Sequence, residues 1–311
     1  MPPSAALGSV VVASFEGRHS TLTDDPLLLQ LLAQRGVDAR AHAWTDPDVA
    51  WTTADLVWVR STWDYTARFD AWLGWLERLA QGGADVENHP DLLAWNSDKH
   101  YLADLAEAGL PTVPTVYVAP GDPVPALLGE VVVKPSVSAG GRDTGRFAPA
   151  HHDQARALVA RIAASGRTAM VQPFLNAVEH RGETAVVVVD GLLSHVLRKR
   201  SVLAPDEEAP LRADALGAAE AMYDPDLVRA DPAGATTAEL DVVDGVLAFL
   251  RERFGTTPLQ MRVDLLAGPD GQPVLLELEA VEPHLYLDKA GPAAAHRLVD
   301  AVLRRLEDAH R

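Results

Sequence analysis

Apolar and polar positions along this chain follow two alternating periods. Residues 9–14 (SVVVAS) and 55–60 (DLVWVR) are short apolar runs between polar loops, the pattern of strands buried on both faces. Between them, residues 27–34 read as a helix opened by Asp24-Asp25-Pro26 and ended by Gly36, and 37–43 read as a further strand. Residues 67–80 form a second helix, with Phe69, Trp72, Leu73 and Leu76 on one face. Strands alternating with helices predict a parallel α/β unit whose ligands gather at the carboxyl ends of its strands. Residues 82–90 read as a connection and the first boundary.

Beyond that point the pattern changes. Asn96-Ser97-Asp98 is expected to cap a helix reaching about residue 108, closed by Gly109 and Pro111. Strands are expected at 112–118, 130–133 and 170–175, and a helix at 151–165. Residues 184–189 and 192–199 flank Asp190-Gly191 and predict a β-hairpin. Residues 204–235, rich in Pro, Ala and acids, read as a surface excursion. A helix follows at 237–254, capped by Thr236 or Thr237 and ended by Gly255, and a last helix at 292–307.

Residues 258–288 hold the most informative pattern. Asp270-Gly271 marks a turn, and the flanking runs 261–265 and 275–280 alternate with period two. Folding about that turn sets Asp264 opposite Glu277 and Arg262 opposite Glu279, so four charges share one sheet face. Three carboxylates on a half-buried face repel one another, and a hard divalent cation such as Mg²⁺ removes that cost. The alternative is a solvated outer face of an edge hairpin.

Composition narrows the class. The 311 residues exceed one ordinary domain core, so two or three units are expected: 1–95, 96–170 and 171–311. The formal charge of −17 and the lack of any basic run argue against nucleic acid as a partner. The chain has no cysteine, which excludes thiolate chemistry and disulfides. No basic, apolar leader opens it and no apolar run is long enough to span a membrane, so a cytoplasmic location is expected. The histidines show no zinc spacing, and no GxSxG elbow occurs.

Only four lysines occur, at 99, 134, 199 and 289, in a chain that otherwise uses arginine. A retained lysine suggests a place for a compact point charge, although chance placement remains the alternative. Lys134 precedes residues 136–145 (SVSAGGRDTG), a small, polar loop able to offer backbone N–H groups to an anion, though it is neither a P-loop nor a Rossmann fingerprint. The loop after the 55–60 strand holds Arg60, Trp63, Asp64 and Tyr65. It is a candidate substrate site, with Arg60 for a carboxylate and Asp64 for an ammonium, or a loop stapled by a local Arg–Asp pair. Asp25, Lys199 and Arg200 complete the candidate substrate set.

The order of these elements resembles the ATP-grasp superfamily over nearly the whole chain. The resemblance implies an α/β (α+β) ATP-grasp fold with an N-terminal parallel α/β pre-ATP-grasp domain, and ATP and Mg²⁺ (or Mn²⁺) as cofactors. Lys99 and Lys134 match the nucleotide lysines, and the loop bearing Ser136, Ser138, Gly140 and Gly141 matches the flap over the phosphates. Gln172, Pro173, Phe174 and Leu175 match the adenine hinge, and Glu183 the acid on the ribose. Asp264, Glu277 and Glu279 match the metal ligands, and Arg262 stands beside them for the transferred phosphate; Arg262 and Lys134 are the expected catalytic residues. RSTWDY, LLAWNSDK, SHVLRK and LLELEAVEP are similar to the branch that contains the O-ureidoserine cyclo-ligase of cycloserine biosynthesis. More distantly, the chain is similar to glutathione synthetase and ribosomal-protein glutamate ligases.

Glu279 stands where the wider superfamily has Asn, while the segment after Lys199 and His284 depart from the cyclo-ligase. The resemblance implies a carboxylate–amine ligase acting through an acyl phosphate on an amino-acid-like small molecule. An intramolecular cyclo-ligase and an ATP-binding protein without ligase activity are the alternatives. A homodimer is compatible with this superfamily.

Overall fold

The computed structural model describes residues 7–16, 23–210, 218, 219, 222, 224 and 226–309. Of the excursion expected at 204–235, residues 211–217, 220, 221, 223 and 225 lie outside the described residues.

The first third folds around a parallel sheet of β1 (Ser9–Ser14), β2 (Asp38–Ala43), β3 (Leu56–Ser61) and β4 (Val86–Glu87), in the order β2-β1-β3-β4. Helices α1 (Asp25–Gln34) and α2 (Phe69–Gln81) are the crossovers the alternation predicts. Trp44, Trp51, Tyr65, Trp72 and Trp75 pack with Val57 and Val59 on one side of the sheet. Val10, Val12, Leu56 and Trp58 face the other way, with Leu28 and Leu32.

The connection expected at 82–90 is structured instead. It holds β4, too short at two residues to show a period, and leads into α3 (Pro90–Asn96), which starts at a proline as helices often do. Asn96-Ser97-Asp98 therefore ends a helix rather than opening one, and α4 (Tyr101–Glu107) starts later. The amide of Asn96 is committed elsewhere: Nδ2 donates to the Leu278 carbonyl at 2.9 Å and Oδ1 accepts from the Ala280 N–H at 2.7 Å.

A second sheet contains β5 (Val116–Val118), β6 (Val131–Pro135), β7 (Gly145–Phe147) and β8 (Ala169–Pro173). Helix α5 (His152–Ala164) covers one face, packing Leu158, Val159 and Ile162 on Val133 and Phe147. Alternation puts Val132 and Lys134 on the opposite face. After α6 (Ala177–Arg181), β9 (Glu183–Val189) and β10 (Leu192–Lys199) form the expected hairpin. Within the excursion, β11 (Glu207–Glu208) joins β7 at the edge of the second sheet, and β12 (Val228–Ala230) pairs with β10.

Helix α7 (Thr237–Phe254) carries a full capping box between Thr236 and Glu239 and ends at Gly255 in the left-handed conformation. The last hairpin, β13 (Gln260–Ala267) and β14 (Pro273–Glu279), completes a third sheet in the order β12-β10-β9-β13-β14. Arg262 pairs with Glu279 and Asp264 with Glu277, the register the alternation predicts. A solvated edge is ruled out, because β13 lies between β9 and β14 and Asp264 is 1% exposed.

Val186, Val188 and Val263 turn toward Val242, Val246 and Leu250 of α7. Ala185 and Val187 share the face of the charged residues. Helices α8 (Leu287–Ala290) and α9 (Pro292–Ala309) cover part of that face, with Leu298 and Val302 in one core that also holds Val10 and Trp58. The C-terminal helix thus seals the first sheet to the third. Among the described residues no helix is long and apolar enough to cross a membrane.

Candidate active site

A cavity of about 370 Å³ opens between the second and third sheets, under the 136–145 loop, and reaches the carboxyl end of β3 at Trp63 and Tyr65. Lys134 enters it from β6, Gln172 from β8, Lys199 from β10, and Glu277 and Glu279 from β14. Lys99 Nζ donates to the Ser138 carbonyl at 2.6 Å and lies 3.2 Å from Glu277 Oε1, joining loop to carboxylate. Lys134 is 8% exposed, and burial holds its ammonium below the usual lysine range against the pull of Glu277.

Arg262 and Asp264 form a two-pronged pair, Nε to Oδ1 and Nη2 to Oδ2, both at 2.8 Å. Arg262 also pairs with Glu279 and donates from Nη1 to the His284 carbonyl at 2.8 Å. Lys199 Nζ sits between Glu183 and Asp264, 2.9 Å from Asp264 Oδ2. Burial raises the Asp264 carboxyl, but Arg262 and Lys199 outweigh it and hold the group well below the usual range.

These two cations serve Asp264 first, and against burial Lys99 and Lys134 hold Glu277 below the usual range, which leaves Glu183, Glu279 and Glu282 under-neutralised. Burial pushes Glu279 up to about 8, and Glu183 and Glu282 each to about 7.

The metal reading is thereby altered. Asp264, Glu277 and Glu279 share one sheet face, but both Asp264 oxygens are taken by basic groups. No group of three His, Asp or Glu side chains placed to hold a metal ion occurs among the described residues. Glu277 and Glu279 keep 26% and 25% of their side chains accessible, against 2% for Asp264. Their oxygen chemistry and the surplus of carboxylate fit a hard divalent cation at those two residues.

Comparison with known proteins gives the family. A family model described as the N-terminal domain of D-cycloserine synthetase DcsG matches residues 10–88. The cycloserine biosynthesis protein DcsG of Streptomyces lavendulae is 32% identical over 296 residues, 91% of this chain and 94% of that protein. The chain belongs to the DcsG family. The crystal structure of D-cycloserine synthetase DcsG matches with a TM-score of 0.83 at 29% identity, covering 96% of this chain and all of that one. A RimK domain ATP-grasp protein from Sphaerobacter thermophilus matches at 0.62 and 18% identity over 95% of this chain and 99% of that one, which shows the shared fold. The ATP-grasp ligase PsnB with minimal precursor, Mg and ADP matches at 0.59 and 18%, over 98% of this chain and all of that one.

In this DcsG-family chain most of the residues singled out in the sequence converge on the cavity, and several do not. Lys99, Lys134, Ser138, Gly140, Gly141, Gln172, Pro173, Phe174, Leu175 and Glu183 all line it. Gly140 and Gly141 have φ of +65° and +73°, and a Cβ on either would come within 2.8 or 3.1 Å of the Ala218 or Ala219 side chain, so glycine is required. Ser136 does not line the cavity; it is buried, its carbonyl accepting from the Lys99 N–H at 3.0 Å and its N–H donating to Thr168 at 2.9 Å.

Of the substrate candidates, Trp63, Tyr65, Lys199 and Arg200 line the cavity. Arg60, Asp25 and Asp64 do not. Arg60 is 2% exposed and held by Gln260 Oε1 at 2.7 Å and Asp25 Oδ1 at 3.4 Å, so it joins two sheets instead of meeting a carboxylate from solution. Asp64 Oδ1 accepts from Trp44 Nε1 at 2.8 Å, a bond that fixes the loop.

The sequence reading missed Glu282 and Tyr286, which line the cavity beyond the hairpin, and Arg142, whose Nη2 bonds the Trp63 carbonyl at 3.2 Å and Thr66 Oγ1. Glu282 was visible as the next acid after Glu277 and Glu279. Nothing local marked Tyr286, because the loop that carries it has no period.

Proposed function

We propose that this chain joins a carboxylate to an amine on an amino-acid-like substrate, consuming ATP through an acyl phosphate and releasing ADP and phosphate. The observation that carries this reading is the facing of Lys99, Lys134 and Arg262 against Glu277 and Glu279 around one cavity. Basic groups fixed before reaction and aimed at phosphate oxygens stabilise the charge that develops in phosphoryl transfer, with no reorganisation cost.

Lys99 and Lys134 would contact the phosphates from beneath the 136–145 loop, whose backbone N–H groups add to the cradle. Residues 172–175 would meet the base, and Glu183 the ribose hydroxyls. Arg262, held rigid by Asp264, would orient the transferred phosphoryl group as a carboxylate oxygen attacks it. Closure of the loop excludes water from the acyl phosphate, leaving an amine as the nucleophile. Glu277 and Glu279 would hold Mg²⁺, or Mn²⁺ in its place, which when bound neutralises phosphate oxygens.

An intramolecular version, in which the amine belongs to the activated molecule, is the second reading. The 32% identity to a cycloserine biosynthesis protein favours it.

Product analysis after incubation with Mg·ATP and pooled amino acids tests the proposal. ADP and phosphate dependent on one pool member, with a new mass, are expected. AMP and pyrophosphate would overturn the acyl-phosphate route. Release of ADP with no second compound present would select the intramolecular reading.

A further inference from the structure

Glu282 lines the cavity beside Trp63, which the loop after β3 brings to it. Among the described residues no side chain donates a hydrogen bond to its carboxylate, which accepts only from its own backbone N–H; its electrostatic neighbours are Lys99 and Arg262, both already paired, Arg142, which bonds the Trp63 carbonyl and Thr66, and Glu277, which repels it. Beside it stands an aromatic wall. Phe15, Trp63 and His284 stack with centroid spacings of 5.4 and 5.9 Å, and Tyr286 packs tilted on His284 at 4.1 Å. Trp63 Nε1 donates to the Glu282 carbonyl at 3.1 Å, which locks the wall to the acid's own backbone.

An ionised carboxylate against such a wall is costly unless a cation joins it. A metal is a poor occupant of this single carboxylate, since hard cations need several oxygen ligands and the paired carboxylates of the cavity are Glu277 and Glu279. An organic ammonium needs one carboxylate, and its carbon skeleton gains from the aromatic wall.

We propose that Glu282 binds the ammonium group of the substrate, so that the compartment selects molecules carrying a primary amine beside the carboxylate that is activated. The assignment rests on the ligase reading above. It moves the ammonium site from Asp64, which is spent on Trp44, to a residue inside the cavity. Arg262 bonds the His284 carbonyl, two residues from Glu282, so the phosphoryl end and the ammonium end of the site are built on one short segment.

The test is ADP release with Mg·ATP from a panel of amino acids, each beside its 2-hydroxy and N-acetyl counterpart, using wild type, Glu282→Gln and Glu282→Asp. Turnover with the free-amine members only is expected. Glu282→Gln should raise KM for the best of them about 10- to 100-fold, with a smaller change in kcat, as loss of a charged hydrogen bond does. Glu282→Asp should recover part of that loss, and thermal unfolding of both variants checks that they fold. Equal turnover of the hydroxy or N-acetyl acids would overturn the ammonium assignment while leaving the ligase reading intact, as would a Glu282→Gln enzyme with unchanged KM. ADP release from no acid of any kind would overturn both.

Discussion

Arg60 Nη1 donates to Gln260 Oε1 at 2.7 Å, while Gln260 Nε2 donates to the Val59 carbonyl at 3.0 Å. The end of β3 is thereby bonded to the start of β13 through two side chains that are 2% and 0% exposed. Asn88 works beside them, its Nδ2 donating to the Gln260 and Ala280 carbonyls at 2.8 and 2.7 Å. The N-terminal sheet is held to the last hairpin by buried polar bonds as well as by apolar contact. Trp63 and Tyr65 owe their place at the cavity to that attachment.

Replacing Gln260 by Leu should leave the Arg60 guanidinium buried with Asp25 as its remaining partner. A loss of about 2–4 kcal/mol is expected, the range for stripping one partner from a buried charge. Urea unfolding measures it. A variant as stable as wild type would show that the bond contributes nothing to the junction.

Glu277 keeps its carboxylate accessible to the cavity and pairs with Lys99, 3.2 Å away. Glu277→Gln keeps the shape and removes the charge, so divalent-cation-dependent turnover should fall by about 100-fold or more, as loss of a donor from a site of two carboxylates does. Steady-state ADP release across a Mg²⁺ titration is the readout. Turnover at the wild-type level would remove Glu277 from the site.

Glu87 in β4 predicts a pH dependence of stability that is separate from the cavity. Burial pushes its carboxyl up from 4.5 to about 7, against the pull of Arg305 at 3.4 Å, with Asp85 and Asp190 adding to the rise. A folded pKa above the unfolded one means the folded state binds the proton more tightly. That contribution is fully present below pH 4.5 and is lost as pH rises through about 7. The total is up to about 3 kcal/mol. Glu87→Gln should therefore gain stability relative to wild type between pH 5 and 8, by thermal unfolding at fixed ionic strength. Parallel curves for the two proteins would contradict the shift.

Much of the site was legible in the sequence because it rests on short-range periodicity. A period-two pattern about Asp270-Gly271 leaves one register for the last hairpin, since a slip of one residue would turn Val263 and Leu278 to the charged face. The same reasoning located Lys134 at the end of a strand before a glycine-rich loop. What the period leaves out is the partner of each charge. Period two puts Asp264 on the right face but says nothing of Lys199, 65 residues earlier, which takes one of its oxygens.

Arg60 shows the same limit. In the sequence it stands beside Trp63 and Asp64 in a polar loop; in the fold its partner is Gln260, 200 residues away. Periodicity reports which face a side chain occupies, because adjacent backbone geometry determines that. Whether the face meets solvent, a ligand or another buried group depends on how distant sheets are packed, and here helix α9 and the Asn88 and Gln260 bonds made that choice. The sequence by itself determined the elements, the hairpin register and the chemistry available on each face. Tertiary packing decided which of those charges are spent on structure and which, like Glu277, Glu279 and Glu282, are left facing the cavity.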